Sequence, residues 1–296
     1  KRLEVYDSKS DVYVADLDNN RIISSPLTSD STKLETFPTF SPNGAYIYYC
    51  AADRKGLNTK NLKGLKYSLV RIPFDEENGK FGEKVDTLYT ARSVCHPKIS
   101  PDGRYCLFTV ADYGTFPIWH PEADLYMMDL QTGKVDSLSM VNSEKSDTYH
   151  SWSHTGRWFV FASKRDDGLY GKPYFCYVDR QGKAHKPFVL PQREPTFYDD
   201  CRCMNCHAFG NQDSNLSMVY IRGEGGGAIL NRNGKLRKLN LKNANMISSS
   251  VYYGFSPSGK YVTFSTNIII PAFHANAEKR LEVYDSKSDV YVADLD

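Results

Sequence analysis

Cys203-Met-Asn-Cys206-His207 spells C-x-x-C-H. In that spacing two thiols can form thioethers to the vinyl groups of a haem while the next imidazole ligates its iron, as in c-type haem attachment. With seven Cys and seven His in the chain, chance gives the string with odds of roughly one in 250 if positions are independent. On the haem reading Cys203, Cys206 and His207 hold the group. His150, His274 or His120 then supplies a sixth ligand, or the position stays open. The motif usually opens a helix, whereas here it leads into a strand-like run. A zinc reading takes Cys201, Cys203, Cys206 and His207 as a C-x-C-x-x-C-H ligand set. Adjacent residues on a strand point opposite ways, so Cys206 and His207 rarely reach one ion, and His150 could replace one of them. The plain alternative is that these residues pack a channel mouth, with or without a local disulfide.

Other chemical spellings fail on context. GEGGGA at 223–228 resembles a dinucleotide fingerprint, but no helix follows to receive a phosphate, so it reads as a flexible loop. Asp16-x-Asp18-x-Asn20 starts like a calcium loop and lacks the later Gly and Glu. Asp199-Asp200 could act as acid and base on a glycan, although no further inward carboxylate is evident on another repeat. No G-x-S-x-G elbow occurs, and Asp147, His150 and Ser151 lie too close along one strand to form a triad.

The elements that must position these residues come from repetition. TFPTFSPNGAYIYYC (36–50) is echoed by CHPKISPDGRYCLFT (95–109), YHSWSHTGRWFVFAS (149–163) and VYYGFSPSGKYVTFS (252–266). Each pairs an apolar strand with an alternating aromatic strand across a turn ending in Gly, which supplies positive φ. The marker serines 41, 100, 153 and 256 are 59, 53 and 103 residues apart. The doubled step contains a degenerate copy, CHAFGNQDSNLSMVYIR (206–222). Five copies of this length, each with room for four strands, predict an all-β fold. It is a five-bladed β-propeller of four-stranded antiparallel blades, one domain over 1–296. The blades fall near 31–92, 93–142, 143–192, 193–247 and 248–296, the last completed by 1–30.

A literal repeat supports that closure. KRLEVYDSKSDVYVADLD occurs at 1–18 and again at 279–296. Residues 11–17 and 289–295 spell the same third strand, so two copies compete for one slot in the fifth blade. The losing copy offers an edge for a swapped oligomer.

Bulk properties exclude some roles. A net charge of +2 offers no basic excess for nucleic acid. No apolar run is long enough to span a bilayer. Cys50, Cys106 and Cys176 sit in apolar strand-like runs and read as buried thiols.

The S-P-[DN]-G turns at Ser41, Ser100 and their equivalents, set between apolar and aromatic strands, resemble the TolB-like, WD-type repeats of bacterial envelope proteins. The C-x-x-C-H-x-F string within a blade is similar to a group of Bacteroidetes exported propellers. The resemblance covers the whole chain, and it departs from TolB in the number of blades. It implies a periplasmic or outer-membrane lipoprotein that binds envelope proteins, a glycan or a small ligand.

In a propeller the D-to-A and B-to-C loops share one face with the channel mouth, and rigidly held loops carry function. That face would bear Tyr113, Trp119, His120, Phe273 and His274 beside His150 and His207. His150 and His207 should share one height near the axis, with His96 one position off it. The leading expectation is a non-enzymatic binding propeller. A haem- or metal-bearing redox protein and a glycan-active enzyme are the alternatives.

Overall fold

The Ser-x-x-Gly turns close in one repeated way. The Gly44 amide donates to the Ser41 carbonyl at 3.0 Å, and the Tyr46 amide donates to Ser41 Oγ at 2.9 Å. Ser100 with Tyr105, Ser153 with Trp158, and Ser256 with Tyr261 repeat the hydroxyl contact at 2.8, 3.2 and 3.1 Å. The glycines at 44, 103, 156 and 259 have φ of +71°, +74°, +65° and +70°, a region that costs most other residues energy. Each turn therefore joins a first and second strand at a fixed angle, four times over.

These hairpins are the inner halves of five antiparallel blades in a computed structural model. It describes residues 6–168, 171–189, 193, 207–209, 215–221, 227–241, 250–270, 272–274 and 281–283. Blade 1 runs Lys33–Phe40, Tyr46–Asp53, Ser68–Asp75 and Asp86–Tyr89, with a short extra strand Lys80–Phe81. Blade 2 is Ser93–Ile99, Tyr105–Ala111, Asp124–Asp129 and Val135–Asp136. Blade 3 is Asp147–Trp152, Trp158–Ser163, Lys172–Tyr177 and Phe188–Val189. Blade 4 is His207–Phe209, Leu216–Ile221, Gly227–Arg232 and Lys235–Leu239. Its last hairpin turns at Asn233-Gly234, both at positive φ, as that dipeptide signals. Blade 5 is Ser250–Phe255, Tyr261–Ile270, then Tyr6–Asp16 and Arg21–Ile23 from the start of the chain.

The first copy of the duplicated segment thus holds the slot in blade 5. Tyr13 pairs with Phe264 and Val14 with Thr263. Residues 281–283 of the second copy pair instead with Ala272–His274. Residues 289–295 lie outside the described residues.

The core is sandwiched between blades. Leu34, Cys50, Cys95, Cys106 and Phe108 pack between blades 1 and 2. Leu107, Phe159, Phe161 and Cys176 pack between blades 2 and 3. Val12, Val14, Ile47 and Ile72 join blade 5 to blade 1, while Tyr13 and Phe264 face Leu216 and Leu230 of blade 4. Alternation along Val12–Ala15 therefore sends successive side chains into two different interfaces. Cys50, Cys106 and Cys176 are buried free thiols, as their strand setting predicts, and Cys95 joins them. Among the described residues no helix is long and apolar enough to cross a membrane.

Candidate functional site

Four of the five inner strands lose register midway. The shift falls between Thr36 and Thr39, Cys95 and Lys98, Thr148 and Ser151, and Val251 and Gly254. The bulges hold Phe37, His96 and Tyr149 at φ of +55°, +53° and +49°. Non-glycine residues hold such angles only where their surroundings enforce them. The inner strands of blades 5, 1, 2 and 3 neighbour one another in turn around the axis, so their bulged side chains meet. The His96 ring lies 4.2 Å from Phe37 and 4.7 Å from Tyr149, centroid to centroid. These rings form a plug across the narrow centre. His150, the next residue after a bulge, turns aside and its Nε2–H donates to the Leu107 carbonyl at 2.9 Å. His96 is therefore one step off His150, as the alignment of inner strands predicts.

On the loop side of this plug lie acids from two blades. Glu35 is fully buried on the inner strand of blade 1, and neither carboxyl oxygen has a hydrogen-bond partner among the described residues. Burial, and then the charge of Asp11, pushes its pKa up to about 8. Asp11 begins the buried run of the strand contributed by the chain start. It is half-buried, accepts from Tyr13 OH at 3.3 Å, and is itself raised by burial.

The repeat explains why Glu35 stays neutral. Its counterpart in blade 3 is Asp147, which likewise precedes the threonine before the bulge. Asp147 is matched by Arg165 at 3.0 Å and by the Ser143 amide and hydroxyl at 2.6 and 2.9 Å. Arg165 lies two residues beyond Ser163, the pairing partner of Asp147. Two residues beyond Ala51, the partner of Glu35, stands Asp53. The cation of one interface is an anion in the other. Asp124, the counterpart of Asp11, faces Asp147 and is pushed up to about 6 by burial and that charge.

The loop-face residues singled out from sequence fall into three groups. Tyr113 and His120 are buried: their rings meet edge-on at 4.6 Å and His120 Nδ1 lies 2.9 Å from Glu122. They stabilise the folded loop 112–123 rather than presenting rings to solvent. Trp119 is partly exposed under the Lys164 ammonium, 4.6 Å from its ring centre. Phe273 and His274 lie in a strand, and His207 opens the inner strand of blade 4 opposite Val219. Cys201, Cys203, Cys206, Asp199 and Asp200 lie outside the described residues. Among the described residues no group of three His, Cys, Asp or Glu side chains is arranged to hold a metal.

No family model matches the chain. No curated protein matches it either. Solved structures do. One is the β-propeller domain of the Trilobed protease from Pyrococcus furiosus, 15% identical, with a TM-score of 0.34. The match covers 75% of this chain and 60% of that one. Another is oligogalacturonate lyase from Vibrio parahaemolyticus, 11% identical, TM-score 0.45, covering 92% and 74%. A third is a Mycobacterium tuberculosis puromycin-hydrolyzing peptidase, 12% identical, TM-score 0.44, covering 74% and 40%. The expectation of a non-enzymatic binding propeller is corrected by these matches, which are with a lyase and with peptidases or their propeller domain. At this identity the likeness shows the fold alone, and any chemistry must come from residues of this chain.

The sequence missed Glu35. Its signal is positional: an acid in the Asp147 position without the Arg165 that should accompany it, visible only once strand register is known.

Proposed function

We propose that the protein is a glycan-active enzyme whose acid–base pair is Glu35 and Asp11. The observation that carries this is a fully buried carboxyl, pushed up to about 8 by burial and by the charge of a second carboxyl, Asp11, that another blade contributes. A carboxyl kept protonated near neutral pH, with a second carboxyl beside it, is the kind of pair that general-acid cleavage of a glycosidic bond uses. At neutral pH Glu35 holds its proton. Asp11 has the exposed edge and is the group a sugar ring meets; Glu35, behind it, keeps the proton in place. Asp11 in its protonated form gives its proton to the departing glycosidic oxygen as that bond breaks. Its carboxylate then faces the positive charge growing at the anomeric carbon, and the attacking water returns a proton to it. Water supplies the hydroxyl that completes hydrolysis. The blade turns that resemble TolB-like repeats support a bacterial envelope setting for this activity.

The test is sugar release from a panel of neutral and uronic-acid polysaccharides. Turnover of at least one is expected, with an alkaline limb near pH 8. Glu35→Gln and Asp11→Asn should each lower kcat by about 10²–10⁴-fold. No turnover across the panel, or an unchanged rate in both variants, removes the reading.

A further inference from the structure

The loop that leaves blade 1 beyond Glu35 concentrates positive charge. Residues 54–66 read RKGLNTKNLKGLK, five cations and no acid, in a chain whose net charge is only +2. Lys55, Lys60, Lys63 and Lys66 are exposed and Arg54 is half-buried. Other cations of blades 1 and 2 are matched, Arg71 by Asp86 at 3.3 Å and Arg92 by Asp112 at 2.9 Å. Among the described residues none of the five loop cations has a carboxylate within ion-pair distance.

The loop is folded on itself and holds these charges in place. Leu62 and Leu65 are buried, and Leu65 joins Tyr67 in the core between blades 1 and 2, with Leu57 packed against it. The Leu65 carbonyl accepts from the Gly114 amide at 2.8 Å, which ties the loop to blade 2. A Cβ added at Gly56 would stand 2.8 Å from the Gly64 carbonyl oxygen, so the two ends of the loop cross with no room for a side chain. Asp53, Asn58 and Asn61 cap its turns, accepting from the amides of Lys55, Lys60 and Lys63 at 2.9, 3.0 and 3.2 Å. With the leucines packed inward, the loop shows solvent its lysines, with Asn58, Thr59 and Asn61 between them.

Hydrogen bonds join this surface to the carboxyl pair. Arg54 follows Asp53, which lies two residues beyond Ala51, the pairing partner of Glu35. The Arg54 amide donates to the Thr32 carbonyl at 2.9 Å, and its Nη1 donates to the Ser31 carbonyl at 3.4 Å. In the same segment Thr28 accepts from the Val12 amide and donates its hydroxyl to the Val12 carbonyl, each at 2.8 Å, next to Asp11. The loop therefore opens at the rim of the mouth that holds Asp11 and Glu35, and the Asp11 carboxyl feels the Arg54 charge.

A row of unmatched, exposed cations draws a polyanion. A nucleic acid strand is held by charge together with aromatic platforms, and the ring that follows the loop, Tyr67, is fully buried. Stable seating on a membrane takes inserted apolar side chains as well as charge, and Leu62 and Leu65 face inward. An acidic sugar chain needs neither: it offers carboxylate or sulfate groups to the lysines and hydroxyls to the amides of Asn58 and Asn61. We infer that loop 54–66 binds an acidic polysaccharide and leads it to the mouth. The inference rests on the glycan reading for the class of chain bound, and adds that this chain is charged.

Calorimetric titration near pH 7 tests it, with polygalacturonate, dextran sulfate and neutral dextran as probes and the Asp11→Asn protein as receptor, so that cleavage does not consume them. Saturable binding of a charged polymer is expected, weakening at least tenfold from low to physiological salt, with neutral dextran at least tenfold weaker. Tighter binding of polygalacturonate assigns the loop to uronic-acid chains; tighter binding of dextran sulfate assigns it to sulfated ones. Lys55→Gln, Lys60→Gln and Lys63→Gln together should weaken binding at least tenfold, and Arg at the same three positions should retain it. Lys80→Gln, Lys134→Gln and Lys183→Gln remove the same charge from exposed turns after the third strands of blades 1, 2 and 3. That variant should bind within about twofold of the parent. The inference falls if neither charged polymer saturates, if neutral dextran binds equally well, or if both Gln triples lose binding alike. It also falls if a thymidine oligonucleotide binds more tightly than either polymer. Turnover is read separately with Asp11 restored. Charged chains bound but not cleaved remove the acid–base pair and leave the loop, whereas cleavage unchanged by the loop triple removes the loop and leaves the pair.

Discussion

Glu35 couples protonation to folding in a direction that can be stated in advance. Its folded pKa of about 8 lies above the ordinary 4.5, so the folded state binds the proton more tightly. Its contribution is full below about pH 4.5 and is lost as pH rises to about 8. Three and a half pKa units correspond to an upper bound of about 5 kcal/mol. Glu35→Gln should therefore leave stability at pH 4.5 nearly unchanged and raise it by a few kcal/mol at pH 8, read from urea midpoints at the two pH values. His150 works in the opposite sense. Burial lowers it to about 3, so its contribution is lost as pH falls from about 6.5 toward 3. His150→Gln should flatten that acid limb in the same titration. Neither effect was legible in the sequence. Cys50, Cys106 and Cys176 were readable as core because their apolar neighbours are adjacent in the chain. Glu35 was not, because the position where a cation is missing, Asp53, lies on the neighbouring strand two residues beyond its partner Ala51 rather than beside it in the chain.

At the scale of the element, the Ser-x-x-Gly turn and the bulged inner strand recur with little regard for the residues between them. The turn was plain in the sequence, since its hydroxyl, its glycine and its spacing are all local. The bulge was not, since Phe37, His96 and Tyr149 share no chemistry that marks positive φ. At Gly103 an added Cβ would meet nothing within 4 Å. Gly103→Ala should therefore cost only the conformational penalty of φ +74°, about 1 kcal/mol, measured as a shift in the urea midpoint. The duplicated strand gives a sharper test. Tyr13 is 1% exposed and packs on Phe264. Tyr13→Ala should cost about 3–5 kcal/mol. The same change in the second copy, Tyr291→Ala, should alter thermal stability by less than about 0.5 kcal/mol. Equal losses in both variants would mean that the two copies exchange places.

At the scale of the whole molecule the five-bladed ring was legible because a propeller repeats itself every fifty to sixty residues. The site was not, because it is assembled across blades. Asp11 and Glu35 come from different blades, and no spacing within one repeat announces a meeting between two. The ring closes only when Tyr6–Asp16 pairs with Tyr261–Ile270. On a ribosome that has a consequence in time. The strand emerges first and its partner emerges some 250 residues later, as the pairing of Tyr13 with Phe264 shows. At about 5–20 residues per second, the opening strand waits about 10–50 s with its hydrogen-bonding edges bare. The nascent chain must be kept from other strands for that long, so the yield of correctly closed rings should depend on how quickly the last blade is made.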